Sequence, residues 1–564
     1  MFSKCGTVKQ NINFIVCGWG LMSMCFIFQT RSFWRCMQVP RCKLENRFEF
    51  FFGESDLEIN DYDNAKSLLK NIVTTIQNEM VDRMQNANSY DMFMKLYCIF
   101  DEVHAFYLRE KKARDKLLEL NISDSSVLST FEENRNIERN IIDACNIWIE
   151  NCILYQHDID TMSQARDRGL SMDIDLMIDM YLYGFASQGL SLLSLSQNAE
   201  QQLFYGIKVT HKESSPAELL KEHPIIFFNT VLVGNQSILN KVPLTANAND
   251  TAFGKGFVKE YGVEFLLFLA ALKSFQINLL HGNEKALKTI NKDCFISLVE
   301  SCTKPRIDGN RFYDSFVLSQ VKIKNQLRKN EKIVWRVGAN KERLELRPFI
   351  GLEDGSVLIS YGVLEQAIQL WVSYFANGGM CYSNVTDNLS KAMNNRNQEL
   401  SDILVAKIQE VLNKHYTPKI DEKDVKYQRI FGEREIDYGD FDVVYYTEKT
   451  KELFLIEAKY FSDSLNSSSM VTDYKKLFEK GGYYDHCRRR YDLVLSEPES
   501  LKRFIGVQDE ISVHLIFLSS KPIELEIQDA DEVVTFLSLS IFEKYIEGKL
   551  INEDGSIVRL VKKI

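Results

Sequence analysis

The chain has 564 residues, 45% hydrophobic and 26% charged, with a net charge of −10 and a pI of about 5.6. That length exceeds one ordinary core and implies roughly two to four folded domains, while the acidic balance excludes a generally basic nucleic-acid coat, so that any polyanion must meet a local patch or a bound metal. The twelve cysteines form no CxxC pair and no His–Cys zinc spacing, which excludes a disulfide framework and a structural zinc and fits a reducing, cytoplasmic setting.

Residues 1–55 read as an N-terminal extension. An apolar run, Ile12–Phe28, is flanked by Lys4, Lys9, Arg31 and Arg35 and includes Asn13, Gly18, Gly20 and Ser23. A bilayer span takes about 20 apolar residues, with about 17 as the lower limit, so the run stands at the limit. No small-residue cleavage site follows it, and Arg31 and Arg35 occupy the place where one belongs. Two readings stay open: a membrane-associated segment, or an extension ahead of the native start with no part in the fold.

Residues 56–330 read as a helical region, with apolar residues at helical spacing in Ala65–Met84, Tyr90–Leu118, Phe131–Leu154 and Val258–Leu280. Gly254-Lys255-Gly256 is not a phosphate loop, because no Gly-Lys-Ser/Thr is present. His104, His157, His211, His223 and His281 are dispersed, without the His–Glu arrangement of a zinc hydrolase. The region carries no readable chemistry and is open to substrate recognition, formation of a homo-oligomer or binding of a protein partner. Residues 331–376 read as a small β-containing segment, with strands at Lys332–Val337, Leu344–Pro348 and Val357–Ser360 and a helix at Leu364–Phe375. Residues 377–395, rich in Gly, Asn and Ser, read as a linker.

Residues 396–564 change pattern. Asn397–His415 places Leu400, Ile403, Leu404, Ile408, Val411 and Leu412 on one helical face, and Pro418 follows its end. Next come a short strand around Lys426–Phe431, two strands within GDFDVVYYTEKTKELFLIEAKYF (Gly439–Phe461), a helix within Val471–Leu495, a strand at Ser512–Leu518 and a strand and helix over Val533–Ile546. The expected fold class is α+β multidomain: a mostly helical N-terminal region, then an α/β domain with a mixed central sheet.

The two central strands carry the chemistry. Alternation with period 2 puts Asp440, Asp442, Val444 and Tyr446 on one face, and Leu453, Leu455, Glu457 and Lys459 on one face of the next strand. A four-residue loop, Glu448–Lys451, sets Asp442 opposite Glu457 and Asp440 opposite Lys459, whereas a one-residue slip would separate the two sets. Converging carboxylates repel one another unless a cation sits between them. A hard ion such as Mg2+ (or Mn2+) takes oxygen ligands and promotes phosphodiester hydrolysis by activating water and shielding charge. Lys459 is placed to orient the attacking water or to stabilise charge on phosphorus. The alternative without chemistry is a cross-strand acid–lysine pair at a sheet end. A second Glu-x-Lys, Glu110 to Lys112 in a polar helical stretch, shows how readily the tripeptide arises by chance.

The segment resembles the core of the PD-(D/E)xK, or restriction-endonuclease-like, superfamily, in which an Asp at the end of one strand is followed by (D/E)-x-K on the next. The resemblance covers residues 396–564, and no proline precedes Asp442. It implies a metal-dependent nuclease acting on DNA, with Asp442 and Glu457 as metal ligands, Asp440 beside them and Lys459 as the catalytic lysine. Many members complete the site with a helix glutamate, for which Glu399 is the candidate here and Glu410 the second. The helix after the lysine offers Lys475, Lys476, Lys480, Arg488, Arg489 and Arg490 for phosphate contact, interrupted by Asp473, Glu479 and Asp485. Gly481 and Gly482 are expected to kink or divide that helix. Two rivals stand beside the nuclease: a nucleic-acid-binding or scaffolding protein of the same fold without turnover, and a membrane-anchored interaction protein held by Ile12–Phe28.

Overall fold

The computed structural model describes residues 32–53, 62–86, 89–119, 125–155, 172–195, 201–202, 208–209, 246–304, 306–327, 343–379, 386–462, 473, 476–521, 529, 531–551 and 555–564. The Ile12–Phe28 run, the strand expected at Lys332–Val337 and the side chain of Lys475 lie outside the described residues. The architecture is α+β, with helices dominating the N-terminal half and two mixed sheets further on.

Among the described residues the first core is built mainly on α1 (Arg41–Phe52), α2 (Tyr62–Asn86), α3 (Ser89–Glu119), α4 (Ser125–Leu154) and α5 (Ile174–Leu195), with Phe33 from a short helical turn ahead of α1. Ala65, Leu69, Ile72, Ile76 and Met80 recur along α2 at steps of three and four and are all buried, which is the amphipathic stripe that holds it to its neighbours. Where α5 crosses α4 the backbones touch at Gly184, since a Cβ there would overlap the Asn140 carbonyl, and only glycine fits.

A second core is aromatic. The helix expected over Val258–Leu280 is two helices, α6 (Ala252–Tyr261) and α7 (Phe265–Ser274), the latter running into a π turn at Phe275–Leu279. Phe253, Phe257, Phe265 and Phe268 pack against Phe316 and Trp371. Around them lie β1 (Leu287–Asn291), α8 (Lys292–Ser301), α9 (Gly309–Phe316), β2 (Val317–Leu318), β3 (Phe349–Gly351), β4 (Ser356–Ser360) and α10 (Tyr361–Asn377), with the strands in the order β1-β4-β3-β2. The strand expected at Leu344–Pro348 is instead a turn, closed by Arg347 N–H on the Arg343 carbonyl, and pairing starts at Phe349.

Helix α11 (Asp387–His415) corrects the expected linker from Asp387 onward. The Thr386 side chain accepts the Leu389 N–H as its cap, and Leu389 and Met393 insert into the aromatic core. Further along, Leu404, Ile408 and Leu412 of the same helix pack on the C-terminal sheet. One rod thus serves both cores.

The C-terminal sheet contains β5 (Ile420–Lys426), β6 (Asp440–Thr447), β7 (Glu452–Lys459), β8 (Ser512–Ser519), β9 (Thr535–Ser538) and β10 (Lys562–Lys563). Its order is β5-β6-β7-β8-β9: β5 and β7 run antiparallel to β6, β8 runs parallel to β7 and to β9, and β10 pairs antiparallel to β8. The strand expected at Lys426–Phe431 ends at Lys426, and Tyr427–Phe431 forms a helical turn, α12. Its buried Tyr427, Ile430 and Phe431 stand at i, i+3 and i+4, the helical spacing. Helices α13 (Tyr483–Ser496), α14 (Pro498–Ile505) and α15 (Leu539–Ile546) complete the domain. On one sheet face α11 and α15 cover Val443, Tyr445, Phe454 and Ile456. On the other, Cys487, Tyr491 and Val494 of α13 cover Phe441, Leu453, Leu455 and Phe517. Burial on both faces is why β7 and β8 read as nearly continuous apolar runs.

Among the described residues no single helix is long and apolar enough to cross a membrane. The α6–α7 pair passes by composition together, but it bends by 69° and its phenylalanines fill the aromatic core.

Candidate active site

The β6–β7 hairpin closes through Glu448–Lys451, with Lys451 in the left-handed region at φ +53 to turn the chain back. Pairs run from Thr447↔Glu452 to Val443↔Ile456, and the next step of that register sets Asp442 against Glu457. There the ladder ends. Asp442 Oδ2 accepts the Ala458 N–H at 2.6 Å, so a side chain takes over where backbone pairing stops. β7 continues beside β8 as far as Lys459↔Ser519, which keeps Glu457 and Lys459 on a rigid central strand.

Three side chains meet at this end of the hairpin. Lys459 Nζ lies 2.7 Å from Glu457 Oε1 and 3.2 Å from Asp442 Oδ2. Glu457 Oε2 accepts from Arg490 of α13 at 2.6 Å. Glu457 and Arg490 are buried, with side chains 6% and 4% exposed, whereas Asp442 at 16% and Lys459 at 25% retain access to solvent. Asp442 Oδ1 receives no hydrogen bond from the described residues.

The electrostatics follow from that packing. Burial pushes the Asp442 carboxyl up to about 6 and the neighbouring Glu457 adds to it, against the opposing pull of Lys459 and the Ala458 N–H. Burial alone would depress the Lys459 ammonium, but Glu457 and Asp442 outweigh it and hold the group above its ordinary value. Lys459 is therefore a cation here rather than a ready base. The Asp442 and Glu457 oxygens already bracket one positive charge, and an all-oxygen set of this kind suits a hard divalent ion that keeps part of its water. The donors present fit Mg2+ or Mn2+, which Asp442 and Glu457 Oε1 would hold in place of Lys459.

The other expected site residues sit elsewhere. Asp440 pairs across to Lys426 on β5, its side chain is 52% exposed, and its carboxylate stands 4.0 Å from Arg490 rather than on Lys459. Glu399 is engaged by other partners: its oxygens accept the Ala252 N–H at 3.0 Å and Arg396 at 2.8 Å, tying α11 to the start of α6. Glu410 is exposed on Lys407. Of the cations expected on phosphate, Arg488 is held by Asp492, Asp529 and Asp531, and Arg490 is buried on Glu457, so neither is presented to a polyanion. Arg489 and Lys480 are exposed, and so is Lys476, 3.8 Å from Asp473. As expected, the Gly481-Gly482 pair interrupts the helical stretch, and α13 begins at Tyr483.

The sequence reading named Arg490 only for phosphate contact and did not name Tyr491. The Arg490 guanidinium reaches Glu457, and the Tyr491 hydroxyl accepts the Glu457 N–H at 3.2 Å while lying 3.0 Å from the Leu455 carbonyl. The signal was present: Cys487, Arg490, Tyr491 and Val494 form one helical face, and an arginine inside an apolar stripe implies a buried acidic partner. A second acidic group, His415, Glu543 and Glu547, lies near the surface with Lys414 bound to Glu543.

Fold and site together define an α+β protein whose C-terminal α/β domain carries an acid–lysine–acid group where its central hairpin opens. No family model, curated protein or solved structure matches the chain.

Proposed function

We propose that the protein is a Mg2+-dependent (or Mn2+-dependent) nuclease that hydrolyses phosphodiester bonds, with DNA as the substrate that the resemblance to the PD-(D/E)xK superfamily implies. The observation that carries this reading is the convergence of Asp442 and Glu457 on Lys459 Nζ, at 3.2 and 2.7 Å, where the hairpin ladder ends. The strand sequence antiparallel, antiparallel, parallel over β5-β6-β7-β8, with α11 and α13 on opposite faces, supports the same reading.

Asp442 and Glu457 hold the cation in this scheme. A bound divalent ion supplies a water of lowered pKa and shields the phosphate and the leaving oxygen. Lys459, displaced from Glu457, turns its ammonium to the phosphoryl oxygens or orients the attacking water, and its raised pKa favours the cationic role. Exposed Arg489, Lys480 and Lys476 supply phosphate contacts that position a strand without reading its sequence.

A rival draws on a specific contact: both Glu457 oxygens are already satisfied, by Lys459 and Arg490, as in an ion network that only braces the fold. Single-turnover cleavage of single- and double-stranded DNA with titrated Mg2+, beside DNA binding in Ca2+, separates the two. Metal-dependent cutting that disappears in Asp442→Ala is the expected result. Wild-type protein that binds DNA but fails to cut it whichever divalent metal is supplied is the non-catalytic binding protein.

A further inference from the structure

We infer that Arg490 is a positioning residue of the metal site: by occupying Glu457 Oε2 it presents Glu457 to a divalent cation through Oε1 alone. This rests on the nuclease reading of the site and adds a role to it.

The guanidinium is fixed from several sides. It donates to Glu457 Oε2 at 2.6 Å and to the Asp440 carbonyl, and it lies over the Phe441 ring at 5.5 Å. Gly439, at φ +78, brings the start of β6 close to it: a Cβ there would stand 3.1 Å from Arg490 Nη1. Arg490 therefore bridges the first residues of β6 and the acid of β7, across the mouth of the hairpin. A lysine could not hold both points, because one ammonium lacks the planar fork of a guanidinium.

Stability alone is a poor explanation for this arrangement. A buried ion pair is often no better than well-packed apolar side chains of the same volume, and among the described residues Arg490 Nε is buried without a hydrogen-bond partner. The contact instead selects one orientation of the Glu457 carboxylate. Groups that hold a ligand through its far atom typically contribute about 10- to 100-fold in metal affinity or activity.

The test uses the full chain and Mn2+ binding followed by electron paramagnetic resonance, which requires no turnover. Removing a nearby positive charge should by itself tighten cation binding, whereas loss of positioning weakens it, so the sign separates the two roles. Arg490→Gln is expected to weaken Mn2+ binding about 10- to 100-fold, and Arg490→Lys, which keeps the charge and one donor, to fall between it and wild type. In a Glu457→Gln background the Arg490→Gln change should add less than about twofold, because its route of action is gone. Tighter binding in Arg490→Gln, or an equal loss in both backgrounds, overturns the inference and leaves the metal site standing. If Arg490→Gln does not fold, Arg490→Lys carries the same comparison, with wild-type affinity as the overturning result. Wild-type protein that binds no Mn2+ removes the metal reading itself and this inference with it.

Discussion

Asp101 and Glu138 of the helical region and Glu452 of the C-terminal domain are buried in opposite ways. In the helical region, Asp101 accepts from the Ser360 hydroxyl, and Glu138 has Arg135 at 3.6 Å. Burial pushes both carboxyls up to about 8, so they are neutral at pH 7. In the C-terminal domain Glu452 meets Arg559 and His514, and despite the upward push of burial those donors bring it down to about 2. Glu457 meets Lys459 and Arg490. Burial by itself favours the neutral carboxyl, whereas charged donors favour the ionised form, which is the form that holds a cation. Asp442, at about 6, stands between the two cases.

The largest effect expected is on the chemical step. Lys459→Ala should lower the single-turnover rate at saturating Mg2+ on the order of 10²- to 10⁴-fold, with metal and DNA binding nearly kept. Asp442→Ala should lose both cleavage and Mg2+ affinity, because it removes a ligand. A Lys459→Ala protein that cuts at the wild-type rate would make the acid–lysine group structural, and the contrast between the regions would then concern stability only.

Next come the acids themselves. Glu452→Gln should destabilise by about 2 kcal/mol, since it weakens charged hydrogen bonds to two partners, whereas Asp101→Asn replaces a neutral carboxyl by a near-isostere and should change stability by less than about 1 kcal/mol. Urea unfolding at pH 7 measures both. Equal effects would erase the distinction.

The pH dependences should have opposite signs. Asp101 and Glu138 are raised in the fold, so the stability they contribute is complete below about pH 4, the unfolded value, and is lost as pH rises through about 8. Glu452 is lowered, so its contribution is present above about pH 4.5 and is lost as pH falls through about 2. Trp148 and Trp371 lie in the two N-terminal cores and residues 396–564 contain no tryptophan. Tryptophan fluorescence therefore follows the first trend, and amide exchange in β7 and β8 the second. The smallest effect is at Glu399: Glu399→Gln should leave cleavage within about twofold of wild type and cost no more than about 1 kcal/mol, because its carboxylate serves the start of α6. A large loss of cleavage there would return it to the site.

Period-2 alternation and an even loop are local properties, so the hairpin register, and with it the meeting of Asp442, Glu457 and Lys459, was legible from some twenty consecutive residues. Helices with long apolar stripes were legible for the same reason. The linker reading of 386–395 failed because Asn and Ser are weak helix formers in isolation, and Leu389 and Met393 become helical by burial in a distant aromatic core. A strand as short as β2 exists only through its pairing with β3, far along the chain.

What the sequence by itself determined is therefore the identity and register of the acid–lysine group and the order of elements around it, since each rests on contacts between near neighbours. Only the tertiary structure decided which helix side chain serves that group. Glu399 and Arg490 both lie on helices packed against the sheet, and spacing assigns each a face of its own helix. The rotation and depth at which a helix seats depend on every core contact beneath it. Those contacts carry Glu399 to the start of α6 and set Arg490 across the mouth of the hairpin, on Glu457.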